Sequence, residues 1–175
     1  MNILVLSDTH GRRHAIGRVL EQINFRPSAI LFLGDGVRDL EFLAEDERYR
    51  DIPCYAVAGN CDASFVFPTH EPMERVLTLG GCRIVMMHGH TRGVRSSLIS
   101  ALYYACEQDA DVLLYGHTHV PYECTVAAEK TRHGKALVVA NPGSLGEPRD
   151  GSGASFGVLT VRDGKALFSH GTLKQ

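Results

Sequence analysis

Five short segments of the chain bring together side chains that ligate metals: Asp8 with His10, Asp35, Asn60 with Asp62, His88 with His90, and His117 with His119. Together they offer imidazole nitrogen and carboxylate or amide oxygen, donors of intermediate hardness. A mixed nitrogen and oxygen set of this kind suits Mn, Fe, Zn, Co or Ni better than Mg or Ca. Each segment alone has an ordinary explanation. Asp-x-His is a common turn or capping pair, Gly34-Asp35 a tight turn, and Gly59-Asn60-Cys61-Asp62 an Asx-turn. Gly116-His117-Thr118-His119 is sharper. Two histidines two apart face one ion only on a kinked backbone, which Gly116 is expected to permit.

Positioning these residues requires elements that end together. Met1–Ser7, Ala29–Leu33 and Cys54–Ala58 are compact apolar runs that read as buried strands, each ending in one of the polar segments. Between them, Arg12–Ile23 carries Ala15, Ile16, Val19, Leu20 and Ile23 at helical spacing. Val37–Arg50 reads as a second helix with Val37, Leu40, Leu43 and Ala44 inward. Strand–helix–strand–helix–strand predicts parallel strands with right-handed crossovers and a ligand site beyond their carboxyl ends. Arg75–Leu79 and Arg83–Met87 flank Gly80-Gly81 as a hairpin, and the second strand runs into His88. Val94–Gln108 reads as a helix and Val112–Tyr115 as a strand running into His117. Four further strands are expected at 122–127, 135–140, 156–161 and 165–170. This strand-rich half is expected to form a second sheet packed on the first, giving an α/β architecture.

Composition narrows the function classes. A length of 175 residues fits a single domain, 1–175. The 18 Lys+Arg against 20 Asp+Glu provide no excess positive charge for a broad nucleic-acid surface. Tryptophan is absent, which leaves no evident track for base stacking. No apolar run is long enough to cross a membrane, and the first residues lack the basic leader of a signal peptide. Five cysteines without a CxxC pair read as reduced thiols in a cytoplasmic protein.

Asp8-Thr9-His10, Gly34-Asp35, Gly59-Asn60-Cys61-Asp62, His88 and Gly116-His117-Thr118-His119, in this order, resemble the calcineurin-like metallophosphoesterase family. The resemblance runs from residue 1 to about residue 149. Cys61 within its loop, and Asn141-Pro142-Gly143-Ser144 followed by Pro148-Arg149, resemble the small YfcE-like phosphodiesterases of that family. The resemblance implies a four-layer αββα fold, two packed mixed β-sheets flanked by helices. It also implies two divalent transition-metal ions, with manganese first and Fe, Zn, Co or Ni as alternatives. Asp8, His10, Asp35 and His119 would hold one ion, and Asp35, Asn60, His88 and His117 the other. Two cations about 3.5–4 Å apart repel, so the shared Asp35 carboxylate and a hydroxide would screen them. The implied activity is hydrolysis of a small-molecule phosphate diester by a metal-activated hydroxide. Asp35, Asn60, His88 and His90 would serve the reaction. Alternatives are a phosphomonoesterase, a nuclease, or a non-catalytic protein-binding scaffold of the same fold.

Many relatives carry histidine where this chain has Cys61. A thiol is a weak donor, so slower turnover of poor leaving groups is expected. His90 could partly replace the missing group; a role supporting His88 from the loop is the competing reading. Asp62 is expected to orient a neighbour or cap its loop. Arg12 and Arg13 read as a solvated helix start. Arg92 and Arg149 stay open between surface charge and a phosphate contact. His14, His70, His133 and His170 read as surface or structural residues, and a homo-oligomer is compatible with the sequence.

Overall fold

The structure is a computed structural model, and it describes residues 1–62 and 70–174. Its elements run β1 (Asn2–Leu6), α1 (Arg13–Gln22), β2 (Ala29–Phe32), α2 (Glu41–Glu45), β3 (Cys54–Ala56), β4 (Glu74–Leu79), β5 (Cys82–Met87), α3 (Ile99–Glu107), β6 (Val112–Tyr115), β7 (Pro121–Val126), β8 (Leu137–Pro142), β9 (Ser155–Arg162) and β10 (Lys165–Thr172). Two mixed five-stranded sheets form, ordered β10-β9-β1-β2-β3 and β4-β5-β6-β8-β7. The β1–β2 and β2–β3 pairs are parallel, as expected from the helical crossovers. In the second sheet β5–β6 and β6–β8 are parallel, and the two flanking pairs are antiparallel.

The continuous apolar runs have a direct structural cause. Side chains alternate across a strand, so a strand covered on both faces must be apolar at every position. In β1, Ile3 and Val5 enter a core that also takes Ile84 and Met86 of β5 and Val112 and Leu114 of β6. Leu4 and Leu6 face the other way, against Ile16, Val19 and Leu20 of α1. On the second sheet, Val85, Met87, Leu113 and Tyr115 pack on Ala101 and Ala105 of α3. The three cores are the three interfaces of a helix–sheet–sheet–helix stack.

Three expectations need correction. Residues 156–161 and 165–170 belong to β9 and β10, which join the first sheet rather than the second; β9 pairs antiparallel with β1. The helix expected over 37–50 is a 3-10 turn, Val37–Leu40, followed by the short α2. Beyond Ala44 the sequence turns charged, and the Asp46 carboxylate accepts the Arg48 amide at 2.9 Å, which competes with helical bonding. The helix expected from Val94 starts only at Ile99. Gly93 is left-handed (φ 63°), and Ser97 Oγ accepts the Ile99 amide at 3.2 Å.

Candidate metal centre

The polar segments that end β1, β2, β3, β5 and β6 converge at one rim, across both sheets. Asp8, His10, Asp35 and His119 offer ligand atoms that all lie within 4.8 Å of one another, and so do Asp35, His88 and His117. Asp35 is common to both groups. Asn60 joins the second, with its Oδ1 3.1 Å from His88 Nε2. His88 Nε2 and His117 Nδ1 are 3.1 Å apart, and His10 Nε2 and His119 Nε2 3.3 Å. All seven residues that the resemblance pointed to therefore meet in one place. His90 borders them, with its ring centroid 5.3 Å from that of His88 and 6.1 Å from that of His117.

The backbone is bent to achieve this. Asp8, His10, Asp35, His117 and His119 have φ of 55°, 46°, 57°, 67° and 63°. They are five of the eight non-glycine residues with positive φ among the described residues. Such conformations cost on the order of 1 kcal/mol or more each and persist where the surroundings enforce them. The expectation that Gly116 supplies the kink is thereby corrected: the histidines themselves adopt the left-handed conformation. Gly116 is needed for space, since a Cβ there would lie 2.2 Å from Ser7 Oγ.

A second layer of contacts fixes each donor. His88 Nδ1 donates to the Leu33 carbonyl at 2.7 Å, and His119 Nδ1 to the Glu147 carbonyl at 2.7 Å. Each bond leaves the Nε2 lone pair aimed inward in the neutral ring. Asp8 is held through one oxygen only. Its Oδ2 accepts from Ser7 Oγ and from the His117 amide, while Oδ1 is buried with no hydrogen-bond donor. Oδ1 also lies 3.1 Å from His119 Nε2. Two lone pairs at that distance repel unless a proton or a cation lies between them. The donor set and this orphaned oxygen fit a divalent ion.

The titratable groups of the cluster perturb one another strongly. Burial works against ionised Asp35, yet the His88 hydrogen bond and charge, with the Cys61 amide at 2.7 Å, hold its carboxyl well below the usual carboxylate range. Burial works against protonated His88 too, but Asp35 and Asp8 raise its pKa overall. His119 is raised chiefly by its Asp8 contact. His117 goes the other way, down to about 4, through burial, the His88 charge and Arg95. His90 is lowered by burial and by His88. Two of these imidazoles are thus drawn toward the protonated form by the carboxylates and two are pushed away from it, so the cluster titrates as a coupled set.

Several supporting residues were under-read or missed in the sequence. Asp62 does more than cap its own loop. Its carboxylate accepts the amides of Asp35 at 2.7 Å, Gly36 at 2.8 Å, Val37 at 2.9 Å and Gly59 at 2.8 Å, tying the loop after β2 to the loop after β3. Asp39 accepts from Thr9 Oγ1 at 2.6 Å and the Gly11 amide at 2.9 Å, which fixes the loop between Asp8 and His10. Only the Asp side chain hinted at this role. Asn141 donates to the Gly116 carbonyl at 2.9 Å and to Thr118 Oγ1 at 3.0 Å, so the Asn-Pro-Gly-Ser turn positions the His-Thr-His segment. Arg92 is paired with Glu74 at 2.6 Å, which resolves it as structural. His133 and His170 bond the carbonyls of Ala110 and Asn141, and His14 and His70 are exposed.

Comparison with known proteins agrees with this geometry. The sequence profile of the calcineurin-like phosphoesterase superfamily domain matches residues 1–164. The chain is 31% identical over 167 residues to a probable metallophosphoesterase, YsnB, of Bacillus subtilis, covering 95% of this chain and 88% of that protein. It is 33% identical over 178 residues to the phosphodiesterase YfcE of Escherichia coli, covering 91% and 87%. In fold it is similar to a predicted phosphoesterase from Streptococcus pneumoniae, with a TM-score of 0.71 at 24% identity over 97% of both chains. The chain belongs to the calcineurin-like phosphoesterase superfamily.

Proposed function

We propose that the chain, acting as one unit over 1–175, is a metal-dependent phosphodiesterase of small molecules. The observation that carries this reading is the pair of ligand groups sharing Asp35, with Asp8 Oδ1 buried and unpaired beside one of them. Asp8, His10, Asp35 and His119 would hold one divalent ion, and Asp35, Asn60, His88 and His117 the other, manganese being the first candidate. Ions bound there would supply Lewis acidity to phosphoryl oxygens and acidify a water for attack on phosphorus.

The protein's own residues define the remaining roles. Asn60 contributes a neutral oxygen, which keeps its half of the centre attractive to an anionic phosphate. Cys61 is no nucleophile in this reading. Burial and the charges of Asp35, Asp62 and Asp8 push its thiol up to about 11, so it stays protonated near pH 7. His90 has a buried Nδ1 without a hydrogen-bond partner and borders both His88 and His117. Its ring borders the half of the centre that contains those two histidines, and it is the residue we assign to the leaving half of a substrate.

A protein-binding scaffold is favoured by one feature. Ile99 and Tyr103 on α3 are 62% and 71% exposed, beside an apolar groove lined by Leu102, Cys106, Val126 and Leu137. A scaffold has no use for seven converging donors, five of them held on left-handed backbone, so the enzymatic reading is preferred.

The test compares hydrolysis of bis(4-nitrophenyl) phosphate and 4-nitrophenyl phosphate with Mn, Fe, Zn, Co and Ni added in turn. Faster turnover of the diester is expected. Preference for the monoester would replace this reading with a phosphomonoesterase, and absence of turnover with any metal would favour the scaffold.

A further inference from the structure

Helix α3 carries two apolar stripes where α1 carries one. On α1, Ala15, Ile16, Val19 and Leu20 are buried, while Arg13, His14, Arg18 and Glu21 face outward and are exposed. On α3, Ala101 and Ala105 are buried against the second sheet. A second stripe, Ile99, Leu102, Tyr103 and Cys106, follows at i, i+3, i+4 and i+7. Among the described residues nothing closes over it, and Ile99 and Tyr103 project from its edge. A helix that is apolar on opposite sides is ordinarily covered on both.

Beside this stripe runs a groove of about 470 Å³, whose other wall is the return from β7 to β8. Val126 and Leu137, paired across those two strands, continue its apolar lining. The two walls differ in charge. Glu107 stands on the α3 wall, and Lys130 and Arg132 stand on the opposite one. All three are exposed, and none has an ion pair among the described residues. Glu107 feels the charge of Arg92, but that guanidinium is itself held by Glu74. The groove lies away from the metal centre. β8 runs from Leu137 toward Asn141, which holds the His-Thr-His segment, so the Leu137 end points the other way.

An occupant must bring apolar side chains to the stripe, positive charge to Glu107 and negative charge to Lys130 and Arg132. A second copy of the same face brings all three. In a two-fold interface one patch serves both sides, and every contact is made twice. Glu107 of each copy then faces the basic wall of the other, and Ile99 and Tyr103 of each copy enter the other's groove. A peptide charged with one sign would be repelled at one of the walls.

We propose that the chain self-associates as a two-fold dimer through α3 and the β7–β8 return, with Ile99 and Tyr103 as its apolar anchors. Large aromatic side chains that fill a pocket on the partner carry a disproportionate share of binding energy. Each copy keeps its own metal centre, so the phosphodiesterase reading stands or falls separately.

A contact centred on one helix face is small, and a dissociation constant of about 1–100 µM is expected. Sedimentation velocity of the manganese-reconstituted protein, over a concentration range that brackets those values, follows the conversion of monomer to dimer. Tyr103→Ser should raise the constant at least about tenfold. Glu107→Lys should do the same, and so should Lys130→Glu combined with Arg132→Glu, because each places like charges together in both halves of the contact. An equimolar mixture of these two charge variants should recover the dimer, since every exchanged charge then meets its opposite. That recovery also shows that neither variant is misfolded. Wild-type protein that stays monomeric throughout the range would overturn the proposal and leave the groove to a partner of another kind. A constant unchanged by Tyr103→Ser and by the charge variants, or a mixture no tighter than either variant alone, would overturn this interface.

Discussion

Asp35 combines properties that ordinarily exclude one another, because it is buried and yet strongly ionised. Its charge is sustained by His88, by the Cys61 amide and by the inward-facing imidazoles. The same coupling sets the pH behaviour of the site. His88 and His119 have pKa values raised above the ordinary imidazole value of 6.5 in the metal-free protein. Below that value they hold protons that an incoming cation must displace. Metal affinity should therefore fall with acidification, by up to about tenfold per pH unit for each proton released. Between pH 6 and pH 5 the dissociation constant for Mn should rise by up to about a hundredfold, measured by calorimetric titration at fixed ionic strength. His117, with its pKa near 4, adds no further proton in that window. An unchanged dissociation constant would show that these imidazoles are not ligands. At this scale the sequence was highly legible, because ligand types at strand ends are explicit in the residues. The left-handed φ values were not, because strain at His117 and His119 is imposed by contacts with distant segments.

Loops rather than strands carry the precision of the centre. Asp62 illustrates this at the scale of elements, since one carboxylate accepts four backbone amides from two loops. Asp62→Ala would leave those donors without their acceptor and is expected to cost about 2–4 kcal/mol of stability. It should also weaken metal binding, because Asp35 and Asn60 would lose their common anchor. Chemical denaturation and metal titration of the variant measure both effects; unchanged values in both would remove Asp62 from the framework. Strand positions were readable from apolar runs buried on both faces, and α1 from its helical stripe. The short α2 and the late start of α3 were not, because both are decided by local side-chain to backbone bonds at Asp46 and Ser97. The partners of Asp39 and Asn141 are likewise tertiary facts.

At the scale of the whole molecule, β9 returns across about 150 residues of chain to pair with β1. No local pattern announces such a pairing, which is why β9 and β10 were expected in the wrong sheet. Their packing is reciprocal. A Cβ on Gly157 would lie 2.2 Å from the Phe168 ring, and one on Gly171 2.3 Å from the Phe156 ring, so each aromatic covers a glycine of the opposite strand. The sheets also bring candidate ligands from residues 8 to 119 into one cluster, so metal binding there would be coupled to folding. An ion that binds only the folded state stabilises it by about 2.7 kcal/mol at a concentration a hundredfold above its Kd. For a chain of this size that amounts to roughly 5–10 °C in Tm. Chelation should lower the melting temperature by that amount, and added Mn should restore it. A melting temperature indifferent to chelator and Mn would mean the centre binds no ion of consequence.

The central claim is a pair of cations sharing one aspartate, and metal stoichiometry tests it most directly. Protein purified without chelator, reconstituted with Mn and freed of excess ion, should contain two ions per chain by elemental analysis. Asp35→Asn should retain fewer than one, because both sites depend on that carboxylate. A single ion per chain in the wild-type protein, or two in Asp35→Asn, would contradict the account.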